Sequence, residues 1–287
     1  MAADCHIHMV LDGADYKAAL ARHRPAADEA WVRRTLAGYR DAGFTFLRDG
    51  GDAPGACRLA ARLAPAYGID YRSPAFPIHK AGHYGGFIGR GFSDFAGYRA
   101  LVDEARALGA DFIKVMVAGL MDFRRFGVVT DTPLPAGEMR DMVAYAHDCG
   151  LAVMAHVNGA QAVKDALAAG VDSVEHGAYQ DDEGLHQLAE SGAVWVPTAV
   201  TIANLRGRGR YPEDQVARIL ERQLRSVAAA ARYGARIAAG SDAGAWQVFH
   251  GRGGLEEAAL LGGVLGPDGP AILADGLAEI RRRFRRA

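Results

Sequence analysis

The stretch from residue 136 to residue 176, AGEMRDMVAYAHDCGLAVMAHVNGAQAVKDALAAGVDSVEH, decides the fold. Its apolar residues recur at helical spacing over 136–149 and then form a short continuous run over 151–157. The same alternation repeats over 159–169 and 171–176. A short apolar run without polar alternation is typical of a strand that is buried on both faces of a parallel sheet. The stretch therefore predicts the repeating helix-then-strand unit of an α/β protein.

The same unit can be followed outward to both ends of the chain. The predicted strands are 3–9, 44–49, 69–76, 111–117, 151–157, 171–176, 193–197 and 236–241. The predicted helices are 28–42, 54–67, 94–108, 136–149, 159–169, 182–191, 213–233 and a closing segment within 254–285. Eight βα units in 287 residues suit a TIM barrel, whereas an open doubly wound sheet of this length normally carries a second domain. We therefore predict an α/β fold, a single (β/α)8 TIM barrel, forming one domain over residues 1–287.

Composition and charge restrict the classes of function. The chain is 50% hydrophobic and 23% charged, which is an ordinary globular mixture. Its formal net charge of −1 favours a small-molecule substrate over a nucleic acid or a membrane surface, and a homo-oligomer is compatible with it. Cys5, Cys57 and Cys149 lie far apart, so neither a disulfide framework nor a thiolate metal site is expected. With no leader-like segment and no long apolar run, the expected location is cytoplasmic.

Polar side chains occur where a TIM barrel places its chemistry, at the C-terminal ends of strands. The candidates, which come from five strands, are His6, His8, Lys114, His156, His176 and Asp242. Taken singly, each has a structural explanation: a hydrogen-bonded core histidine, a helix N-cap for Asp242, or an extended stem with an exposed amine for Lys114. Taken together, three or more nitrogen and oxygen ligands suit Zn²⁺ or another divalent ion that keeps an open position for water.

These residues and their surroundings resemble the amidohydrolase superfamily of metal-dependent barrels. That superfamily carries HxH after strand 1, Lys on strand 4, His on strands 5 and 6, and Asp on strand 8. Four segments are similar to its imidazolonepropionase-like and prolidase-like (Xaa-Pro and Xaa-Arg dipeptidase) branch: LPAGEMR (134–140), AHVNG (155–159), DSVEHG (172–177) and GSDAG (240–244). The resemblance covers about residues 4 to 265.

The sequence departs from that branch in one respect. Relatives in the branch carry an N-terminal segment that joins the C-terminal end of the chain in a small β-sandwich. Here His6 lies almost at the start, and the segments after Asp242 have helical patterns over 254–265 and 271–284. We therefore expect a barrel without the usual small β-sandwich domain.

The resemblance implies a particular metal centre and reaction. It implies two divalent metal ions, zinc being the first expectation, bridged by a CO₂-derived carbamate on Lys114. The strand 1 histidines and Asp242 would hold one ion, and the histidines of strands 5 and 6 the other. Asp242 would act as general base for a metal-bridged hydroxide. The implied reaction is hydrolysis of an amide or peptide C–N bond in a dipeptide, an N-acyl amino acid or a cyclic amide.

Residues in the loops after strands 3 and 4 are candidates for substrate contacts. His83 resembles the glycine-flanked histidine of the branch, and we expect it to hydrogen-bond the substrate or the oxyanion as a second catalytic residue. The neighbouring Tyr84 is a further substrate-binding candidate. Arg124 and Arg125 are candidates for binding a substrate carboxylate, since a guanidinium group pairs with both of its oxygens. No motif surrounds His250, which we expect at the surface.

Three other readings remain open at this point. A mononuclear deaminase of the same superfamily would activate water with one metal ion, but it has no need of Lys114. A lactone or ester hydrolase would use the same centre as an amidase. A catalytically idle barrel would be expected to lack a ligand or the base, and here all six positions are filled. The basic run 281–286 is attributed to a helix C-terminus, where cations are favoured, rather than to nucleic-acid binding.

Overall fold

The protein is described here by a computed structural model that covers residues 2–285. Its strands are β1 (Ala2–Ile7), β2 (Phe44–Asp49), β3 (Asp70–Arg72), β4 (Pro77–Lys80), β5 (Arg90–Phe92), β6 (Ile113–Met116), β7 (Val153–Val157), β8 (Ser173–His176), β9 (Val194–Val196) and β10 (Arg236–Ile237). Its α-helices are α1 (Tyr16–Arg22), α2 (Glu29–Asp41), α3 (Ala56–Leu63), α4 (Phe95–Ala107), α5 (Ala136–Asp148), α6 (Ala160–Ala169), α7 (Asp182–Ser191), α8 (Val200–Ala203), α9 (Glu213–Arg232), α10 (Arg252–Leu265) and α11 (Gly269–Arg283). Residues 1, 286 and 287 lie outside the described residues, so the last arginine of the predicted basic run does too.

The strands form two parallel sheets that close on each other as a barrel. One sheet has the order β1-β2-β3, and the other has the order β10-β9-β8-β7-β6-β4-β5. Backbone hydrogen bonds join β1 to the segment after β10, from the Cys5 N–H to the Ala239 carbonyl at 2.9 Å and from the Asp242 N–H to the His6 carbonyl at 2.7 Å. On the other side, the chain itself joins the two sheets, because β3 and β4 follow each other directly along the sequence. β3 pairs with β2 in the first sheet, and β4 pairs with β6 in the second. The (β/α)8 TIM barrel is confirmed.

The third barrel strand differs from the single strand predicted over 69–76. The structure divides it into β3 and β4, with a bend between them. Pro74 lacks the N–H that a strand ladder needs, and Ala75 has φ 66°, which lies outside the β region. The bend moves the C-terminal end of this barrel strand to Lys80, so the loop carrying His83 begins directly after it.

Two further differences concern the helices after the barrel strands. The closing helical segment predicted within 254–285 is two helices, α10 and α11, separated by a short 3-10 turn at Gly266–Asp268. The short helices α1 and α8 were not predicted, because neither is long enough to show a periodic pattern. Among the described residues, none of the helices combines the length and the apolar character needed to cross a bilayer.

Apolar side chains close the N-terminal end of the barrel interior. Ile280 and Phe284, on and just after α11, are completely buried there. They pack with inward-facing residues of several strands, among them Phe46 and Met154. The guanidinium carbon of Arg48 lies 4.4 Å from the centre of the Phe284 ring. Because this end is sealed, the polar groups of the barrel are accessible from the opposite, C-terminal end.

His250, expected at the surface, is half-buried and hydrogen-bonded through both ring nitrogens. Its Nε2–H donates to the Leu11 carbonyl at 2.9 Å, so its Nδ1 accepts from the Tyr39 hydroxyl at 3.1 Å. Burial lowers the pKa of His250 to about 4. The imidazole is therefore a neutral structural group that fixes the loop after β1 against the loop after β10.

Acid is expected to destabilise the protein through His250. The folded-state pKa lies below the ordinary value, so the unfolded chain binds more protons and stability is lost as the pH falls below about 6.5. Between about pH 7 and pH 5 the wild type should lose about 2 kcal/mol more than His250→Gln. Denaturant unfolding of both proteins at the two pH values measures this difference. Equal losses would contradict this account of His250.

Candidate metal centre

Three side chains converge where β1 and the segment after β10 meet. His6 lies in β1, His8 follows it, and Asp242 lies after β10. The Asp242 Oδ1 atom is 3.6 Å from His6 Nε2 and 3.4 Å from His8 Nε2. One ligand atom from each residue falls within a group whose members are all within 4.8 Å of one another. Two imidazole nitrogens and a carboxylate oxygen at this spacing can hold one divalent cation.

Two further histidines extend this cluster across the barrel mouth. His156 is the last inward-facing residue of β7, one position before its end, and His176 is the last residue of β8. Their ring centres are 4.4 Å apart, and the ring of His176 lies 5.2 Å from that of His6. The four histidines predicted from the sequence therefore form one continuous group.

Lys114 lies on β6 within reach of this group. Its side chain is 1% exposed, and its Nζ atom has no hydrogen-bond partner among the described residues. Burial lowers the pKa of Lys114 to about 8. The neutral amine, the form that adds CO₂, is consequently accessible near neutral pH.

Burial also keeps the histidines in the form that binds metal ions. It lowers the pKa values of His8 and His156 to about 3, and it lowers those of His6 and His176 well below the ordinary value. The pKa of Asp242 is raised by burial to about 7. Neutral imidazoles facing a buried carboxylate form a donor set that a cation would stabilise. The residues present fit a metal centre.

One ring nitrogen of three of these histidines has a close polar neighbour. His6 Nδ1 lies 2.8 Å from Glu175 Oε2, and His176 Nδ1 lies 2.7 Å from Thr198 Oγ1. His156 Nε2 faces the Gly119 carbonyl at 3.4 Å. A hydrogen bond on one nitrogen fixes the tautomer and directs the lone pair of the other, as in His156 and His176, whereas the His6–Glu175 contact is close without hydrogen-bond geometry. The nitrogens left for a cation are therefore Nε2 of His6, Nε2 of His176 and Nδ1 of His156.

A fully buried ion pair supports His6 from behind. Arg48 on β2 donates to Glu175 Oε1 at 2.7 Å, and both side chains are 0% exposed. Arg48 also donates to Ser173 Oγ at 2.9 Å and to the Cys5 carbonyl at 2.7 Å. The network links three barrel strands and holds the carboxylate that orients His6. The sequence reasoning assigned no role to Arg48 or Glu175, although a charged residue within an apolar strand was the signal that identified Lys114.

Two of the candidate ligands occupy unusual backbone conformations. His176 has φ 65° and Asp242 has φ 57°, in the left-handed region that side chains other than glycine seldom adopt. The His176 carbonyl accepts from Trp195 Nε1 at 3.0 Å and from Gln223 Nε2 at 2.6 Å. Next to Asp242, the buried Asp4 carboxylate accepts from the N–H and hydroxyl groups of Ser241. These bonds hold both ligands in the conformation that directs them into the site.

The loop candidates lie at different places around the mouth. The ring of Tyr84 packs against that of His156 with centres 4.9 Å apart. His83 is at the rim, where its Nδ1 lies 3.3 Å from Asp131 Oδ2 and its side chain is 29% exposed.

Arg124 and Arg125 each contact a nearby side chain at the surface. Arg124 lies over the ring of Tyr211, 5.3 Å from its centre, and Arg125 pairs with Asp122 at 2.7 Å with its side chain 71% exposed. Each would have to exchange its present partner for a substrate carboxylate.

A second buried cluster has metal-type residues but a structural role. Asp49, Asp52 and Cys57 place ligand atoms within 4.8 Å of one another. The Asp52 carboxylate already accepts three backbone N–H groups at the start of α3, those of Gly55, Ala56 and Cys57. Asp49 accepts from two backbone N–H groups and from the Tyr71 hydroxyl. Because both carboxylates are satisfied within the chain, this cluster stabilises the loop after β2.

Two proteins illustrate the sequence relatives of this chain. Ochratoxinase from Aspergillus niger is 28% identical over 280 residues, which cover 83% of this chain and 56% of that protein. An uncharacterized protein of Mycobacterium tuberculosis is 36% identical over 121 residues, covering 40% of this chain and 32% of its own length. The chain thus spans little more than half of the one relative and about a third of the other.

Solved structures share the barrel. A Xaa-Pro dipeptidase with bound methionine superimposes with a TM-score of 0.78 at 21% identity, covering 98% of this chain and 75% of that one. The structure of the ochratoxinase gives a TM-score of 0.79 at 21% identity, with coverages of 97% and 71%. At this identity the likeness shows the fold.

Residues 4–263 match the Amidohydrolase family, so the match includes every candidate ligand from His6 to Asp242. Members of this family generally use divalent metal ions. The match extends over nearly the whole chain, from β1 to α10. The chain belongs to the amidohydrolase family.

Proposed function

We propose that the protein hydrolyses an amide or peptide C–N bond of a small substrate such as a dipeptide, an N-acyl amino acid or a cyclic amide. The observation that carries this proposal is the buried Lys114 amine, which has no hydrogen-bond partner among the described residues and interacts electrostatically with Asp242 and the four histidines. A mononuclear deaminase offers no reason to bury an amine at this position. The family match and the dipeptidase likeness support a C–N bond as the target.

The site would hold two divalent metal ions, zinc being the first expectation. The strand 1 histidines and Asp242 would bind one, His156 and His176 the other, and a carbamate on Lys114 would lie between them. When bound, such ions lower the pKa of a water molecule and polarise the carbonyl to be cleaved. Addition of CO₂ to the Lys114 amine would give the site an anionic ligand and would remove the cost of burying that amine unsatisfied.

Asp242 is proposed as the group that moves the proton. As the water oxygen bonds to the carbonyl carbon, Asp242 would accept its proton and then deliver it to the nitrogen as the C–N bond breaks. His83, oriented by Asp131, is proposed to donate a hydrogen bond to the substrate carbonyl oxygen. Tyr84 would bind the substrate beside His156, and Arg124 or Arg125 would pair with a substrate carboxylate.

Removal of metal is expected to abolish amide hydrolysis reversibly. The wild type would be assayed for amine release from N-acetyl-glycine, N-benzoyl-glycine, N-acetyl-alanine and N-acetyl-phenylalanine before chelation, after chelation, and after addition of Zn²⁺. We expect turnover of at least one compound that disappears with the chelator and returns with the metal. Absence of amide cleavage together with ammonia release from aminopurines or aminopyrimidines would instead support a deaminase.

A further inference from the structure

Three aromatic rings lead from the metal centre to the protein surface. Tyr84 packs on His156, Phe87 lies 5.8 Å from Tyr84, and Tyr16 lies 6.0 Å from Phe87, as measured between ring centres. Phe87 is 39% exposed and Tyr16 is 51% exposed. We call Tyr84, Phe87 and Tyr16 the aromatic ladder. Its two outer members leave apolar ring surface open to solvent directly beside the candidate site.

The loop that carries Phe87 is anchored rather than loose. The neighbouring Ile88 is 2% exposed, and its carbonyl accepts the Ala53 N–H at 2.7 Å. The Tyr84 N–H donates to Asp131 Oδ2 at 2.7 Å. At Gly85, φ is +116° and an added Cβ would come within 2.8 Å of Met116 Cγ, so the loop lies directly against β6. Phe87 is therefore held in its exposed position between the buried Gly85 and the buried Ile88.

The open surface of the ladder has the chemistry of an aromatic binding site. The Tyr16 and Phe87 rings meet nearly edge to face, with an interplanar angle of 82°. A further ring can add to such a pair at centre distances of about 4.5–7 Å and gains both apolar burial and a favourable quadrupole contact. Contiguous exposed apolar surface at the mouth of a cleft marks a ligand contact more often than chance exposure does.

We propose that the aromatic ladder binds an aromatic ring of the substrate and so makes the enzyme selective for amides with an aromatic group next to the scissile bond. The inference rests on the proposed function, since it names the substrate class of the same site. Tyr84 packs against both Phe87 and His156, so only the Tyr84 ring separates a ring bound on Phe87 from the side of the candidate centre formed by His156. Phe87 and Tyr16 determine specificity in this account and take no part in the bond-breaking step.

The test compares aromatic with aliphatic partners of the same probe. The pairs are N-benzoyl-glycine with N-acetyl-glycine, which varies the acyl side, and N-acetyl-phenylalanine with N-acetyl-alanine, which varies the amine side. The proteins are the wild type, Phe87→Ala, Tyr16→Ala and the control Phe95→Ala. Phe95 is 41% exposed and packs on Tyr98 of its own helix, so it matches Phe87 in exposure. Both kcat/KM and the calorimetric Kd are measured, and thermal unfolding verifies that each variant is folded.

We expect the wild type to favour the aromatic member of at least one pair by about tenfold in kcat/KM, since one ring contact contributes roughly that factor. Phe87→Ala should bring the ratio close to one, Tyr16→Ala should reduce it, and Phe95→Ala should leave it unchanged. Equal kcat/KM within both pairs for the wild type, or a preference that survives in both ladder variants, would overturn the inference.

The two proposals can fail separately. In one outcome, no probe is hydrolysed, the wild type binds an aromatic probe about tenfold more tightly than its aliphatic partner, and Phe87→Ala loses that preference. This result would support aromatic binding by the ladder and contradict the proposed reaction. If probes are hydrolysed without aromatic preference, the reaction stands and the ladder falls. If the probes are neither hydrolysed nor bound with any aromatic preference, both proposals fall.

Discussion

Asp242→Asn is expected to lower kcat by about 10²–10⁴-fold, the usual contribution of a positioned general acid or base. The amide keeps the size of the carboxylate and offers an oxygen to a cation, but it cannot accept the proton of the attacking water. Burial raises the pKa of Asp242 to about 7, which shows how strongly this pocket affects charge. Steady-state kinetics on the best of the four probe amides measures the loss, and KM should change much less than kcat.

The control for this variant is its metal content. Asp242→Asn should retain metal at a level close to the wild type, so that loss of proton transfer is separated from loss of the centre. A variant that keeps both its metal and a kcat within tenfold of the wild type would show that Asp242 is not the base.

Glu175→Leu is expected to lower the free energy of unfolding by about 3–5 kcal/mol, because it leaves the Arg48 guanidinium buried without its partner. The Arg48 and Glu175 side chains are both 0% exposed, and Arg48 Nη2 lies 2.7 Å from Glu175 Oε1. The same variant removes the group that orients His6, which should weaken metal binding by about 10–100-fold. Denaturant unfolding of the metal-free protein and chelator competition measure the two effects independently.

Two further variants test whether the loss of stability comes from the buried charge pair. Arg48→Met combined with Glu175→Leu removes both charges and should recover much of the lost stability, although not the metal affinity. At the surface, Glu29→Gln breaks the exposed pair with Arg33 and should cost about 1 kcal/mol or less. A cost for Glu175→Leu as small as that for Glu29→Gln would contradict the role given to the buried pair.

The sequence predicted the candidate ligands because each lies in a regular position. His6 and His8 share a face by strand period, and His156, His176 and Asp242 follow from the rule that barrel chemistry lies at the C-terminal strand ends. Lys114 was identified as a charged residue within an apolar strand. The structure places the four histidines, Lys114 and Asp242 together at that end. Strand geometry is set by residues close together in the sequence, so these positions can be predicted from the sequence alone.

Residues that act across the barrel could not be predicted in the same way. Glu175 on β8 meets His6 on β1 and Arg48 on β2 across the barrel interior, because β8 pairs with neither of those strands, and nothing in the sequence specifies that contact. Thr198 reaches His176 from a different strand end through a single hydrogen bond. The division of the third strand depended on a local conformation at Ala75 that overrides the apolar pattern. For Glu175 and Thr198 tertiary packing decides the contact, whereas the division of the third strand is a local backbone effect at Pro74 and Ala75.

The most direct test of the two-ion centre is the metal content per chain, by elemental analysis of protein purified without chelators, for the wild type and Lys114→Ala. Within residues 2–285 the buried Lys114 amine has no hydrogen-bond partner, so replacing Lys114 with alanine leaves no unsatisfied polar group behind. We predict two metal equivalents in the wild type, falling to one or fewer in the variant. One equivalent in both proteins, unaffected by the loss of Lys114, would contradict the lysine-bridged centre.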